Sequence, residues 1–214
     1  MEHLRHGRSQ KLAVLHDSGD GHDGHDGYVV YQVNRAWEDG RPNGTVQVTE
    51  LVALTPQANR DLWRFCIETD LCGQVTATKR PFDDPLPLLL ANPRRARCTV
   101  SDGLWLRLVD LRAALALRHY EAGDELVLEV RDSFCPWNDG RWRLETSEKG
   151  ATCERTDSEP DLTLATSALG AAYLGGVTVM RLFAAGLIEG SLDAVTRLDR
   201  LLRVPRAPWP STDF

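Results

Sequence analysis

The chain has 214 residues, 42% of them hydrophobic and 26% charged, which is enough for a packed core in one large or two small domains. A formal net charge of −6 lacks the basic excess of a general nucleic-acid binder. No apolar run reaches the roughly 20 residues that cross a bilayer, and the basic start Met1–Arg8 leads only into the short Leu12–Leu15, too little for a secretory leader, so a cytoplasmic, soluble protein is expected.

Leu12–Leu15 and Tyr28–Val33 read as two short strands joined by a loop over His16–Gly27. The loop holds three His and four Asp, which suggests metal ligands. Its glycines leave those ligands loose, however, and no calcium-loop spacing is present, so a solvated hairpin tip is expected and no metal. A third strand runs through Thr45–Leu54, approached by the turn dipeptide Asn43-Gly44, with an imperfect alternation of Val46, Val48 and Glu50 against Gln47, Thr49 and Leu51. Thr55-Pro56 then opens a helix as N-cap and first helical residue, with Leu62, Phe65 and Cys66 on one face and Trp63 beside them. Val75–Thr78 reads as a further strand. The prolines of Asp83–Pro87 bar a helix or a central strand there, and a short helix over Leu88–Leu90 closes at Asn92-Pro93.

A domain boundary is placed near Asn92–Arg97, dividing the chain into 1–95 and 96–214. The second part opens with Asp102-Gly103 and a strand over Leu104–Val109, on which Arg107 and Asp110 read as a structural ion pair. Asp110 also suits the cap of a helix over Leu111–Leu117. Leu126–Val130, Gly140–Glu145 and Leu162–Ala165 read as strands, and Ala168–Leu174, Val179–Ala185 and Leu192–Leu202 as helices. Fold class is therefore α/β (α+β) in both parts. Trp105, Trp137, Trp142, Tyr173 and Phe183 are expected in the core. The five cysteines are odd in number and widely spaced, so reduced structural thiols are expected rather than disulfides or zinc.

Several segments, in order, resemble the enhanced intracellular survival (Eis) family of GNAT-type acetyltransferases. They are Gly27-Tyr28-Val29-Val30-Tyr31-Gln32-Val33, Glu50-Leu51, Leu62-Trp63-Arg64 and Asp84-Pro85-Leu86-Pro87-Leu88-Leu89-Leu90. Asp102-Gly103-Leu104-Trp105-Leu106-Arg107 follows, then Ala113-Ala114-Leu115, Arg118-His119-Tyr120, Tyr173-Leu174-Gly175 and a final Asp213-Phe214. The resemblance implies a C-terminal half only: a partial GNAT-like α/β layer followed by a sterol-carrier-protein-2-like domain. The acetyl-CoA-binding domain and its tyrosine acid would lie in a segment this chain lacks. Consistent with that, the sequence holds no R/Q-x-x-G-x-G/A turn to cradle a pyrophosphate, and no P-loop, dinucleotide, HExxH or GxSxG motif. No cofactor is expected on this chain, although acetyl-CoA is expected for a full-length member.

The tail is rich in Pro205, Pro208 and Pro210, which favour an extended form, and carries Trp209 and Phe214 as apolar anchors. A terminal carboxylate has a reference pKa of about 3.3–3.7 and is ionised at neutral pH. By resemblance, the carboxylate of Phe214 helps to bind and deprotonate the substrate amine, and Asp102 and Asp213 match acidic positions lining the amine pocket. Read without the resemblance, the tail is a frayed end and Asp102 a turn residue. The implied role is the scaffold part of an N-acetyltransferase of aminoglycoside- or lysine-like amines, inactive alone and in a homo-oligomer, with no nucleic-acid or membrane partner. The alternative is a stand-alone sterol-carrier-like module that binds a hydrophobic ligand or a partner subunit. A partial layer would leave an open sheet edge, so self-association is expected.

Overall fold

In the computed structural model, residues 10–17, 19 and 24–210 are described. The chain forms two units: the first runs to Val100 and is rejoined at Trp209, and Ser101–Pro208 forms the second.

The first unit begins with β1 (Leu12–Asp17), β2 (His25–Asn34), the two-residue ribbon strands β3 (Trp37–Glu38) and β4 (Arg41–Pro42), and β5 (Gly44–Ala53). Helix α1 (Pro56–Ile67) and strand β6 (Cys72–Ala77) follow. The sheet order is β1-β2-β5-β6, antiparallel except for the parallel β5–β6 pair that α1 connects. Both strands flanking the His/Asp-rich loop run further than the sequence suggests, to Asp17 and from His25. Thr55 caps α1, its hydroxyl accepting from the Ala58 N–H at 3.1 Å, with Pro56 in the first turn where no donor is needed.

The imperfect alternation in β5 has a physical cause. Opposite β2 the register jumps, with Val30 facing Glu50 but Tyr31 facing Val48, so Thr49 is an extra residue, a β-bulge. The bulge switches the inward parity, so Val46, Val48 and Leu51 all reach the core while Glu50 does not. They pack with Val29 and Tyr31 against Leu62, Trp63 and Cys66 of α1. Phe65 departs from the expected buried face and lies half exposed, edge-on to Tyr31 at 5.5 Å between ring centroids. The close approach of α1 to the sheet is fixed at Gly27, where a Cβ would come within 2.9 Å of the Val52 carbonyl oxygen and 3.0 Å of Leu62. Beyond β6, α2 (Leu86–Leu89) forms earlier than expected, because Pro87 falls in its first turn, where a proline costs no hydrogen bond. A 3-10 turn follows at Pro93–Arg95.

The second unit comprises α3 (Leu111–Leu117), β7 (Asp124–Arg131), β8 (Gly140–Ser147), β9 (Gly150–Arg155), β10 (Leu162–Ala165), α4 (Thr166–Tyr173), α5 (Val179–Ala184), β11 (Ile188–Gly190) and α6 (Leu192–Leu202). The sheet order is β11-β10-β7-β8-β9. An antiparallel meander β7–β8–β9 carries β10 parallel to β7, and β11 turns back on β10. Alternate residues Leu126, Leu128 and Val130 meet Leu111, Leu169 and Leu198 of the helices in one buried cluster. The other face is charged, with Arg141 paired to Glu129 and Arg143 to Glu125, each at 3.5 Å.

Three expectations are corrected here. Leu104–Val109 is irregular rather than a strand, because Asn138 Nδ2 donates to the Leu108 and Val109 carbonyls and Trp137 Nε1 to Val109, taking acceptors a ladder would use. Arg107 pairs with Asp132, since the Asp110 carboxylate is engaged as the cap of α3, accepting from Ala113 N–H at 2.9 Å. Of the five aromatics expected inside, Trp105 and Trp137 are exposed, Trp142 is buried, and Tyr173 and Phe183 are partly buried against the core. No helix among the described residues is long and apolar enough to cross a membrane.

Candidate functional site

Asp102 lies exposed in the irregular opening of the second unit. Asp213 and Phe214 lie outside the described residues, so no geometry joins the three acidic groups. The approach to the end of the chain is described as far as Pro210. At Trp209 the chain is held in the first unit: its indole Nε1 donates to the Lys79 carbonyl at 2.7 Å, and the Arg80 guanidinium lies 5.6 Å from its ring centroid.

Arg80 itself belongs to the fabric of that unit. Its side chain is 15% exposed and is bound by Asp84 at 2.7 Å and by the Leu51 carbonyl at 2.6 Å, and it lies 5.5 Å from the buried Trp63 ring. Asp84 is in turn fixed by the Leu86 N–H at 2.8 Å. Sequence reasoning did not find this set, because its members come from β5, α1, the segment leading into α2, and the tail, with no local signature.

The β5–α1 junction is where an α/β unit of this kind would receive a phosphate on helix N–H groups. The residues present do not fit one. Pro56 has no N–H, the Ala58 N–H is taken by Thr55, and the carboxylates of Asp26 and Asp61 stand at the same end. The Thr55 hydroxyl donates to Asp26 at 2.6 Å, and His16 bridges the two acids, Nδ1 to Asp26 at 2.5 Å and Nε2 to Asp61 at 3.1 Å. Because both ring nitrogens face carboxylates, the imidazolium form is favoured, and the hydrogen bonds to Asp26 and then Asp61 raise the pKa of His16. The sequence places His16 in a solvated loop; in the structure it joins the hairpin to α1.

The segments that carry the resemblance in the second unit hold structure. Arg118 donates to the Tyr173 carbonyl at 3.0 Å and the Leu202 carbonyl at 2.8 Å, gathering the ends of α3, α4 and α6. It also lies over the rings of Tyr120 and Tyr173. Tyr120 is buried, its hydroxyl donating to Leu115. Asp132 is buried too; desolvation pushes its pKa up, but donors from Cys135, Asn138, Thr166 and Phe134 outweigh it and hold it down at about 2. Cys66 and Cys153 are buried thiols pushed up to about 11 and about 12 by desolvation, protonated and unreactive at neutral pH.

Comparison with known proteins gives the family. A family described as an acetyltransferase (GNAT) domain matches residues 2–112, and one described as a sterol carrier protein domain matches 111–211. The chain is 45% identical over 180 residues to an uncharacterized N-acetyltransferase of Streptomyces avermitilis, covering 84% of this chain and 44% of that protein. It is 36% identical over 187 residues to N-acetyltransferase Eis of Mycobacterium tuberculosis, covering 86% and 42%. The crystal structure of Eis1 from Mycobacterium abscessus superposes with a TM-score of 0.73 at 37% identity, covering 89% of this chain and 49% of that one. The chain thus spans about half the length of these relatives. The acetyltransferase match starts at residue 2, so a GNAT domain is represented here, and the expectation of a C-terminal half without one is corrected. The chain belongs to the Eis-like GNAT N-acetyltransferase family and carries that family's sterol carrier protein domain.

Proposed function

We propose that this chain serves acetyl-CoA-dependent N-acetylation of aminoglycoside- or lysine-like amines in a cytoplasmic homo-oligomer. In this reading it supplies scaffold and a terminal carboxylate and does not transfer acetyl groups alone. Residues 1–95 and 96–214 are its two working parts. An ammonium group must lose a proton before it can attack a thioester, and an anion beside it both attracts the ammonium and accepts that proton. The carboxylate of Phe214 and the acids Asp102 and Asp213 are assigned to the substrate amine, and anions of this kind favour a polycationic amine over a neutral one. One observation carries the reading: five residues before the end, the tail is bonded through Trp209 to the acetyltransferase-like unit. The α1 N-terminus, ill-suited to a pyrophosphate, supports a cofactor site on other residues than these.

Calorimetry of this chain with acetyl-CoA is expected to show no binding, and tight binding would overturn the scaffold role. Joining the portion of the Streptomyces avermitilis relative that this chain does not match to this chain is expected to give a protein that acetylates neomycin. Removing Phe214 from that fusion should lower kcat/KM about 100- to 10,000-fold, the usual scale of a proton-transfer group. Unchanged kcat/KM would remove the carboxylate from the chemistry. The alternative of a hydrophobic-ligand module draws no support from the second unit's interior, where Leu111, Leu128, Leu169 and Leu198 are wholly buried against one another.

A further inference from the structure

We infer that Arg80 is a positioning residue: its guanidinium is a ready-made seat for the Trp209 ring, latching the C-terminal segment to the first unit and setting how far the last residues can reach. This rests on the reading above for what the tail does, but not for how the tail is held. Three of the contacts of Arg80 involve no tail residue: Asp84, the Leu51 carbonyl and the Trp63 ring. Trp63 is 1% exposed and the Asp84 side chain 10%, so the cation is fixed by the interior of the unit. A cation held in this way offers an aromatic partner a preorganised, partly desolvated charge within the roughly 6 Å over which the ring quadrupole attracts it. Trp209 takes that place at 5.6 Å, and its N–H has a second anchor at the neighbouring Lys79 carbonyl. The indole is thus held by two different interactions at successive residues of one segment, which fixes its orientation as well as its place.

The consequence for the chain end is geometric. Phe214 is the fifth residue after Trp209, and a fully extended chain spans at most about 3.3–3.6 Å per residue, so chain length alone limits its reach from the latch to about 18 Å. Pro208 and Pro210 on either side of Trp209 narrow the paths available. A tail free at Trp209 would sample a far larger volume, diluting the carboxylate at any one point.

The test is the rate at which carboxypeptidase A releases Phe214 from the full chain, followed by mass spectrometry, with a thermal melt of each variant as a check on folding. Trp209→Ala is expected to speed release about five- to tenfold, the scale of one cation–π contact plus one hydrogen bond. Trp209→Phe, which keeps a ring but not the N–H, should fall in between. Arg80→Lys should also speed release, and the Arg80→Lys, Trp209→Ala pair should be no faster than Trp209→Ala alone. Equal rates for native protein and Trp209→Ala overturn the latch, and full additivity in the double variant removes Arg80 from it. If Arg80→Lys does not fold, the Trp209 variants decide. Faster release in Trp209→Ala, with unchanged neomycin acetylation when Phe214 is removed from the fusion, keeps the latch and sinks the carboxylate role. The opposite pair of results does the reverse.

Discussion

The two units close their cores by different means. In the second, helices α3 to α6 contribute to one buried cluster against a five-stranded sheet, and buried polar groups such as Asp132 and Asn138 are fully bonded. In the first, a single long helix covers a four-stranded sheet, and among the described residues its buried cluster is eight residues against twenty-three in the second. A sheet with one helical cover removes less apolar surface from water than one that four helices pack against. The contrast teaches that two segments of similar length can build buried clusters of very different size, according to how many helices cover the sheet.

The comparison can be sharpened by perturbing each unit in turn. The largest effect is expected for Asp132→Ala, which strips partners from Arg107, the Phe134 and Cys135 N–H groups and Asn138 at once; about 3–5 kcal/mol should be lost in urea unfolding of the second unit. A loss under about 1 kcal/mol would mean the 132–139 loop holds itself, against the usual cost of orphaned buried groups. Leu62→Ala in the first core should cost about 2–3 kcal/mol, toward the low end for such truncations, because a one-helix layer can settle into the cavity. A larger cost would show that layer to be as rigid as the second core. Removing the cap with Thr55→Ala should cost about 1 kcal/mol, read as a lower urea midpoint.

The smallest expected effect is one of pH, and it separates the units by sign. The hydrogen bonds to Asp26 and Asp61 raise the folded pKa of His16 above 6.5, so their contribution is complete below pH 6.5 and is lost as pH rises through the raised value. The urea midpoint of the first unit should therefore fall on the alkaline side in native protein and stay level in His16→Gln. Asp132 behaves oppositely: held at about 2, it stabilises above its ordinary value near 3.8, and that support is lost as pH falls toward 2. Asp26 and Asp61, held low first by Thr55 and Gln57 respectively and then by His16, give the first unit an acid loss as well, so the alkaline limb is the discriminating one.

Features set by neighbours in sequence were legible. Thr55-Pro56 and Asp110 announced their helices, and the apolar alternation of β7 and β8 marked strands. Features set by distant partners were not. Leu104, Leu106 and Leu108 have the period of a strand, yet Asn138 and Trp137 claim the Leu108 and Val109 carbonyls from far along the chain. The bulge at Thr49 was visible only as a fault in a pattern, and β9, with Ala151 and Cys153 as its inward side chains, lacked the bulk that betrays a strand. The acidic residues of the proposed amine pocket were named from resemblance. The Arg80 seat was invisible, since Trp63, Arg80 and Trp209 acquire their meaning only when the fold assembles them.

The parallel join of β10 to β7 imposes an order on synthesis. Leu128–Arg131 cannot gain their partners at Leu162–Ala165 until the ribosome has made more than the whole intervening meander, and β11 must wait for residue 190. Until then the edge of β7 is open to other chains, while loop closure over so long a stretch slows its capture. Trp209, which follows the whole second unit in sequence, reaches back to Lys79, so the first unit gains this contact only after the second has been translated.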